Sequence, residues 1–203
     1  MQEIEAKFYV RDLKQIESRI QQLDARLIQP RVLETNLRFD LPDGRLRSKR
    51  QVLRLRQDTE AKFTFKDAGK TEQGIVNRTE IEFTVGNFEQ AKLFLEALGY
   101  QKILQYDKYR TTYELQTSEV YAHIMLDELP YGNFVEIEGE DIDSIHMVTE
   151  KLNLNMQAAM AESYSVLFEK VRRTLALTII DLTFENFAGV QVSPEHLQVQ
   201  PAD

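Results

Sequence analysis

Residues 53–66 read Leu53-Arg54-Leu55-Arg56-Gln57-Asp58-Thr59-Glu60-Ala61-Lys62-Phe63-Thr64-Phe65-Lys66. Side chains two apart on a strand share a face. Arg54 and Arg56 therefore stand against Leu53 and Leu55, and Lys62, Thr64 and Lys66 against Phe63 and Phe65. The spacing predicts strands over Val52–Gln57 and Lys62–Lys66, each with one charged and one apolar face. The same alternation recurs outward in both directions. Glu3, Glu5 and Lys7 oppose Ile4, Ala6 and Phe8. Arg78, Glu80 and Glu82 oppose Thr79, Ile81 and Phe83, and Glu136 and Glu138 oppose Val135 and Ile137. Lys108 and Arg110 flank Tyr109, and Asp127 ends an apolar run.

Around these segments the pattern predicts strands over Glu3–Val10, Arg31–Leu41, Leu46–Ser48, Arg78–Val85, Tyr100–Leu115 (broken once), Val120–Leu126 and Asn133–Gly139. Pro42-Asp43-Gly44 and Pro130-Tyr131-Gly132 supply turns. Asp12 caps a helix with the stripe Leu13, Ile16, Ile20 and Leu23; Asn87 caps another carrying Phe88, Ala91, Phe94, Leu95 and Leu98, closed by Gly99. Helical patterns return at Ile142–Leu152 and Met156–Leu175. Residues 175–203 read as a tail able to dock on a domain spanning 1–174. Many strands in hairpin-like succession favour an antiparallel sheet or barrel over a parallel fold.

A half-solvated strand explains any one of these alternations alone. Taken together, three features argue otherwise. Like charges are doubled along a strand, as in the three Glu-x-Glu pairs, although neighbouring like charges repel. The two signs segregate by segment. The apolar faces are rich in Phe, Ile, Leu and Val, with amphipathic helices available to cover them. A closed sheet packed outward against helices leaves its charged face lining an interior. Such a lumen suits a triphosphate: Lys and Arg meet its oxygens, and divalent cations bridge it to carboxylates.

Composition narrows the classes. The 203 residues carry a net charge of −8, which argues against a general nucleic-acid binder. Cysteine is absent, excluding disulfides and thiolate metal sites. No signal peptide is visible after Met1, and no apolar run approaches the ~20 residues of a membrane span, so a cytoplasmic protein with no membrane partner is expected. His123, His146 and His196 lack zinc spacing. No Walker or Rossmann glycine loop and no serine-hydrolase elbow occurs.

Glu3-Ile4-Glu5-Ala6-Lys7 resembles the N-terminal signature of the CYTH superfamily, the triphosphate tunnel metalloenzymes. Later segments match in order: Phe39-Asp40, Leu53-Arg54-Leu55-Arg56, Phe63-Thr64-Phe65-Lys66, Arg78-Thr79-Glu80-Ile81-Glu82, Lys108-Tyr109-Arg110, Leu126-Asp127-Glu128, Gly132-Asn133-Phe134-Val135-Glu136-Ile137-Glu138-Gly139 and Ser163-Tyr164. The resemblance covers about Met1 to Lys170. It implies an α+β fold: an eight-stranded antiparallel β-barrel tunnel with helices packed outside. It further implies metal at Glu3, Glu5, Glu80, Glu82, Asp127, Glu136 and Glu138. Lys7, Arg54, Arg56, Lys66, Lys108 and Arg110 would grip phosphates, with Lys62 and Arg78 as a second tier and Glu5 and Lys7 as the catalytic candidates. Tyr164 is expected to pack or gate. The implied cofactor is Mg²⁺ or Mn²⁺. The implied substrate is ATP, thiamine triphosphate or tripolyphosphate, processed by hydrolysis or, as in class IV adenylate cyclases, by cyclisation. A non-catalytic polyphosphate or nucleotide sensor is the alternative, and a homodimer is left open.

Overall fold

The computed structural model describes residues 2–203, so Met1, the first residue of the expected domain, lies outside the described residues. Its strands are β1 (Gln2–Val10), β2 (Arg26–Asp40), β3 (Val52–Gln57), β4 (Ala61–Lys66), β5 (Lys70–Glu72), β6 (Ile75–Val85), β7 (Gln101–Gln116), β8 (Tyr121–Leu129) and β9 (Gly132–Gly139). The order β1-β9-β8-β7-β2-β3-β4-β6 closes on itself through β1–β6 pairing, giving an antiparallel ring of eight strands, with β5 added beside β6. Six helices accompany it: α1 (Leu13–Gln22), α2 (Arg45–Ser48), α3 (Phe88–Ala97), α4 (Ile142–Lys151), α5 (Tyr164–Thr174) and α6 (Pro194–Leu197). Among the described residues no helix is long and apolar enough to cross a membrane.

Apolar strand faces point outward, where helices cover them. Ala6, Phe8, Ile124, Val135 and Ile137 pack with Ile16 and Ile20 of α1 and Ile145 and Val148 of α4. Asp12 and Asn87 cap α1 and α3 through backbone N–H groups, as their positions before apolar stripes require. On α3, however, only Ala91 and Leu95 of the expected stripe are buried, and Phe94 and Leu98 remain exposed.

Five elements depart from the sequence reading, one being the short α6 inside the expected tail. Leu46–Ser48 is helical, not a strand. The Asp40 carboxylate accepts the backbone N–H groups of Leu46 (2.8 Å) and Arg47 (3.0 Å), and that local cap outweighs a three-residue alternation. The pattern at Met156–Leu175 is not one helix. A 3-10 turn, Met156–Ala158, is followed by extended chain whose Met160 N–H donates to Lys7 O at 2.9 Å, and α5 starts only at Tyr164. The β7 strand runs unbroken through 16 residues. Its pairing with β2 shifts register three times, twice with the extra residue on β2 and once with it on β7 at Ile103. The short β5 has no alternation to reveal it.

Residues 175–203 dock on the ring. Leu182, Phe187 and Leu197 are buried with Tyr131, Phe134, Leu167 and Phe168. Backbone bonds extend the contact: Leu182 N–H donates to Gln105 O and Ala202 N–H to Tyr9 O, each at 2.9 Å, and the Asp203 carboxylate accepts the N–H groups of Arg11 and Asp12.

Gly74 fixes the β5–β6 turn. Both Gln73 (φ 49°) and Gly74 (φ 81°) are left-handed, as a two-residue hairpin loop of matching twist requires. A Cβ on Gly74 would sit 2.5 Å from Ala159 O. Gly74→Ala should therefore cost about 2–4 kcal/mol and lower Tm by about 5–15 °C in calorimetry. Gly86→Ala, whose Cβ meets nothing within 4 Å, should leave Tm nearly unchanged.

Candidate functional site

Inward-facing residues of the ring enclose a cavity of about 810 Å³. Strand register decides who meets whom. Glu3 lies opposite Arg78, Glu5 opposite Glu138 and Lys7 opposite Glu136. Lys66 lies opposite Glu80, and Thr64 opposite both Arg54 and Glu82. The lumen thereby acquires an acid-rich end and a base-rich wall.

At the acid-rich end Glu3 receives Arg78 Nε at 2.7 Å and Lys66 at 2.5 Å, Glu5 receives Arg78 Nη2 at 2.8 Å, and Lys66 also reaches Glu80 at 3.1 Å. Burial opposes ionisation of Glu3, but Lys66 and Arg78 outweigh it and hold its pKa at about 2. Glu138 shows the reverse balance. Burial, then repulsion from Glu3 and Glu5, push its pKa up to about 7. Glu80 is raised to about 7 by burial and by its hydrogen bond and repulsion with Glu3, against the pull of Lys66. Carboxyl groups (Glu3, Glu5, Glu80, Glu138) thus outnumber the cations Lys66 and Arg78 at this end.

The base-rich wall is built on β2, β3 and β7. Burial would lower the Arg54 and Arg110 guanidinium pKa values, yet Tyr106, then Glu34 and Glu82, raise that of Arg54, and Asp127 and Glu136 raise that of Arg110. Arg56 Nη2 binds Glu82 at 3.1 Å. Lys108 Nζ binds Asp127 at 2.8 Å, and Arg110 Nε binds Asp127 at 2.6 Å while its Nη2 reaches Glu136. Lys7 joins the two regions through Glu136 at 2.9 Å. Burial opposes the Glu136 charge, but Lys7 and Arg110 hold its pKa well below the ordinary value.

Lys7, Arg54, Arg56, Lys66, Lys108, Arg110, Glu3, Glu5, Glu80, Glu82, Glu136 and Glu138, all singled out by their pattern, line this one cavity, as do Lys62 and Arg78. Asp127 does not. It is fully buried behind the wall, where Lys108, Arg110 and the Tyr164 hydroxyl (2.7 Å) all bind it. Tyr164 also lies under the ammonium groups of Lys7 (4.6 Å to the ring centroid) and Lys108 (5.3 Å). Burial and then Asp127 drive its pKa far up, which keeps it a neutral donor. Among the described residues no three carboxylates or imidazoles are gathered at metal-ligating distance; the acids lean on Lys66, Arg78, Lys7 and Arg110 instead.

Several lining residues escaped the sequence reading, among them three ionisable ones. Glu34, Arg38 and Tyr106 sit on the long strands β2 and β7. Glu34 is fully buried, and neither carboxylate oxygen finds a hydrogen-bond partner. Lys108 at 3.5 Å and Arg56 at 3.6 Å, with Arg110, overcome burial and hold its pKa at about 2. Its signal was present as Glu34-Thr35-Asn36-Leu37-Arg38, polar and apolar by turns apart from the adjacent Thr35, but without a like-charged pair.

A ring of eight antiparallel strands thus surrounds a lumen of paired acids and bases. The chain belongs to the CYTH domain family, whose model matches residues 1–164. Its structure is similar to that of a candidate adenylate cyclase from Vibrio parahaemolyticus (19% identity, 82% of this chain and 97% of that one, TM-score 0.69). A protein of Pyrococcus horikoshii is similar too (24% identity, 83% and 99%, TM-score 0.65). So is a candidate adenylyl cyclase from Hippeastrum with a dominant triphosphatase activity (16% identity, 82% and 95%, TM-score 0.60). Among curated proteins none matches the sequence. At these identities the structural likeness concerns the fold.

The raised Glu138 pKa makes a signed prediction. A carboxyl whose folded pKa (about 7) exceeds its ordinary value (4.5) penalises folding as pH rises through that window, fully above it and not below. Glu138→Gln should therefore raise the Tm of chelator-treated protein at about pH 8, the gain fading toward zero near about pH 4.5. A gain of equal size at both pH values would mean that the carboxylate is not repelled.

Proposed function

We propose that this protein is a divalent-metal-dependent enzyme acting on a triphosphate-bearing substrate, by hydrolysis or by adenylate-cyclase-type cyclisation. The single observation that carries this reading is the sorted lumen: buried cations on one wall, excess carboxylate at the other end, within one cavity.

On this reading Arg54, Arg56, Lys108 and Arg110 receive the phosphate oxygens, the arginines in forked geometry. Lys7 lies between the two regions, within reach of a phosphoryl group and of Glu136, and its charge is favoured because Glu136 and Glu5 outweigh burial. Glu82 and Glu136 hold these cations in place until a more highly charged guest displaces them. Asp127 and Tyr164 fix Lys108 and Arg110 from behind. Charged groups held ready in a cavity screened from water stabilise developing phosphoryl charge without reorganising at the moment of reaction.

The acid-rich end fits a hard divalent cation. Burial, then the neighbouring carboxylates, keep Glu80 and Glu138 protonated to about pH 7, and oxygen donors are what Mg²⁺ and Mn²⁺ take. Glu3, Glu5, Glu80 and Glu138 would hold it, with Glu136 at their border. A bound cation supplies charge neutralisation and Lewis acidity toward the phosphate oxygens. CYTH membership agrees with that requirement. Lys66 and Arg78, now on Glu3 and Glu5, would be free to meet phosphate oxygens if those acids held a cation.

The test offers ATP, tripolyphosphate and thiamine triphosphate separately with Mg²⁺ or Mn²⁺, scoring orthophosphate, pyrophosphate and cyclic AMP. At least one should turn over, chelator should abolish it, and Arg110→Ala should lower kcat/KM by about 10²-fold or more. Tight tripolyphosphate binding with no product from any substrate would replace the enzyme reading with the sensor reading.

A further inference from the structure

The ring is not equally closed along its seam. On β6 the β1 ladder ends with Gln2 opposite Thr79, whereas β4 accompanies the other side through Val85. Among the described residues, 81–85 thus have a ladder on one side only. Ile81 and Phe83 are 53% and 56% exposed, and the alternating Glu82 and Thr84 are exposed as well.

The hydrogen-bond phase of this edge can be read from one contact. Asp67 N–H donates to Thr79 O, which turns odd-numbered residues of β6 toward β4. In a regular strand the alternate residues then send N–H and C=O the other way, so Glu82 and Thr84 present theirs to the open side. Natural edges are usually guarded by lysine, proline or a bulge. This one has no lysine, proline or bulge, and its one charge, Glu82, points into the lumen and is engaged by Arg56: the stretch is Ile81-Glu82-Phe83-Thr84-Val85, and its register against β4 is unbroken. Its outward row also walls a small apolar hollow with Phe63, Phe65 and Phe94.

We propose that the chain forms a twofold homodimer in which β6 pairs antiparallel with β6 of a second copy, centred on Phe83. The edge is its own complement at that register. Glu82 faces the partner's Thr84, and each such pair exchanges two backbone hydrogen bonds, so all the open groups of 82 and 84 are used in both copies. Phe83 meets the partner's Phe83 and Ile81 the partner's Val85, pairs of aromatic and β-branched type that stabilise sheets. Other centres do worse. Centring on Glu82 sets two carboxylates face to face, and centring on Thr84 pairs Glu82 with Gly86, beyond the strand end at Val85. A foreign peptide could supply the backbone, but nothing in it would dictate this side-chain match. At the chosen register the partner's Thr84 stands beside Glu82 on the lumen side and closes the seam there, so the tunnel wall becomes shared. This inference does not rest on any catalytic activity.

Light scattering on the full chain at about 50 µM should give twice the 23.7 kDa of one copy. Thr84→Pro deletes the N–H that faces the open edge and no bond to β4. It should weaken dimerisation at least about tenfold, because twofold symmetry removes two hydrogen bonds, while far-UV circular dichroism stays unchanged. The register is read by cross-linking, since the chain lacks cysteine. Phe83→Cys should oxidise to a covalent dimer, its Cα atoms being about 4.5 Å apart in a non-hydrogen-bonded pair. Ile81→Cys, offset by four residues, should not. A monomer at this concentration overturns the proposal. So does a dimer that Thr84→Pro leaves intact, or one that cross-links at Ile81→Cys in preference to Phe83→Cys.

Discussion

Seven of the eight strands of the ring turn charged side chains toward the lumen, β8 giving only His123 and Met125, and that arrangement is tolerable only because opposite charges meet inside it. An isolated ion taken out of water loses several kcal/mol that only excellent partners restore. Here the partners come from register. One residue of slip along β1 would carry Glu3, Glu5 and Lys7 to the outer face and bring Ile4 and Phe8 inward. The hydrophobic packing of α1 and α4 on the outside and the ion pairs inside therefore specify the same alignment from opposite faces of the sheet.

The pairing is complete in some places and incomplete in others, and the difference divides the lumen by task. Glu136 and Glu3 have cations enough to stay ionised, whereas Glu80 and Glu138 do not. Surplus carboxylate at one end and stacked guanidinium groups at the other are unfavourable in an empty protein. Both become favourable when a cation and a polyanion enter together. A lumen arranged only for stability would be apolar, or neutral throughout.

Much of this was legible in the residues because period-two alternation is strict where a strand has one buried apolar face and one charged face. The doubled charges at Glu3 and Glu5, Arg54 and Arg56, Glu80 and Glu82, and Glu136 and Glu138 announced their common face. Single polar residues inside longer strands did not, which is why Glu34, Arg38 and Tyr106 went unseen. The elements misread were set by contacts no local pattern encodes. Asp40 reaches forward to cap α2, and Met160 gives its N–H to Lys7 O, so helical spacing around it forms no helix. On β6 the alternation was read correctly, yet it could not say that one side of the strand has no neighbour.

Asp127 shows how pattern and place separate. It shares the type and spacing of a metal ligand but is fully buried, with Lys108, Arg110 and Tyr164 all directed at its two oxygens. A carboxylate so engaged would have to give up three charge-assisted or hydroxyl donors to bind a cation, each exchange opposed by the burial that strengthened it. Its physical effect is to hold two cations on the lumen wall at fixed positions. Tyr164 completes the anchor from α5, the first helix to follow the 3-10 turn and extended chain after α4, so the geometry of the basic wall depends on that later segment docking correctly. Lys7 rests over the same tyrosine ring, which makes one buried hydroxyl and one buried carboxylate the common support of cations drawn from β1 and β7.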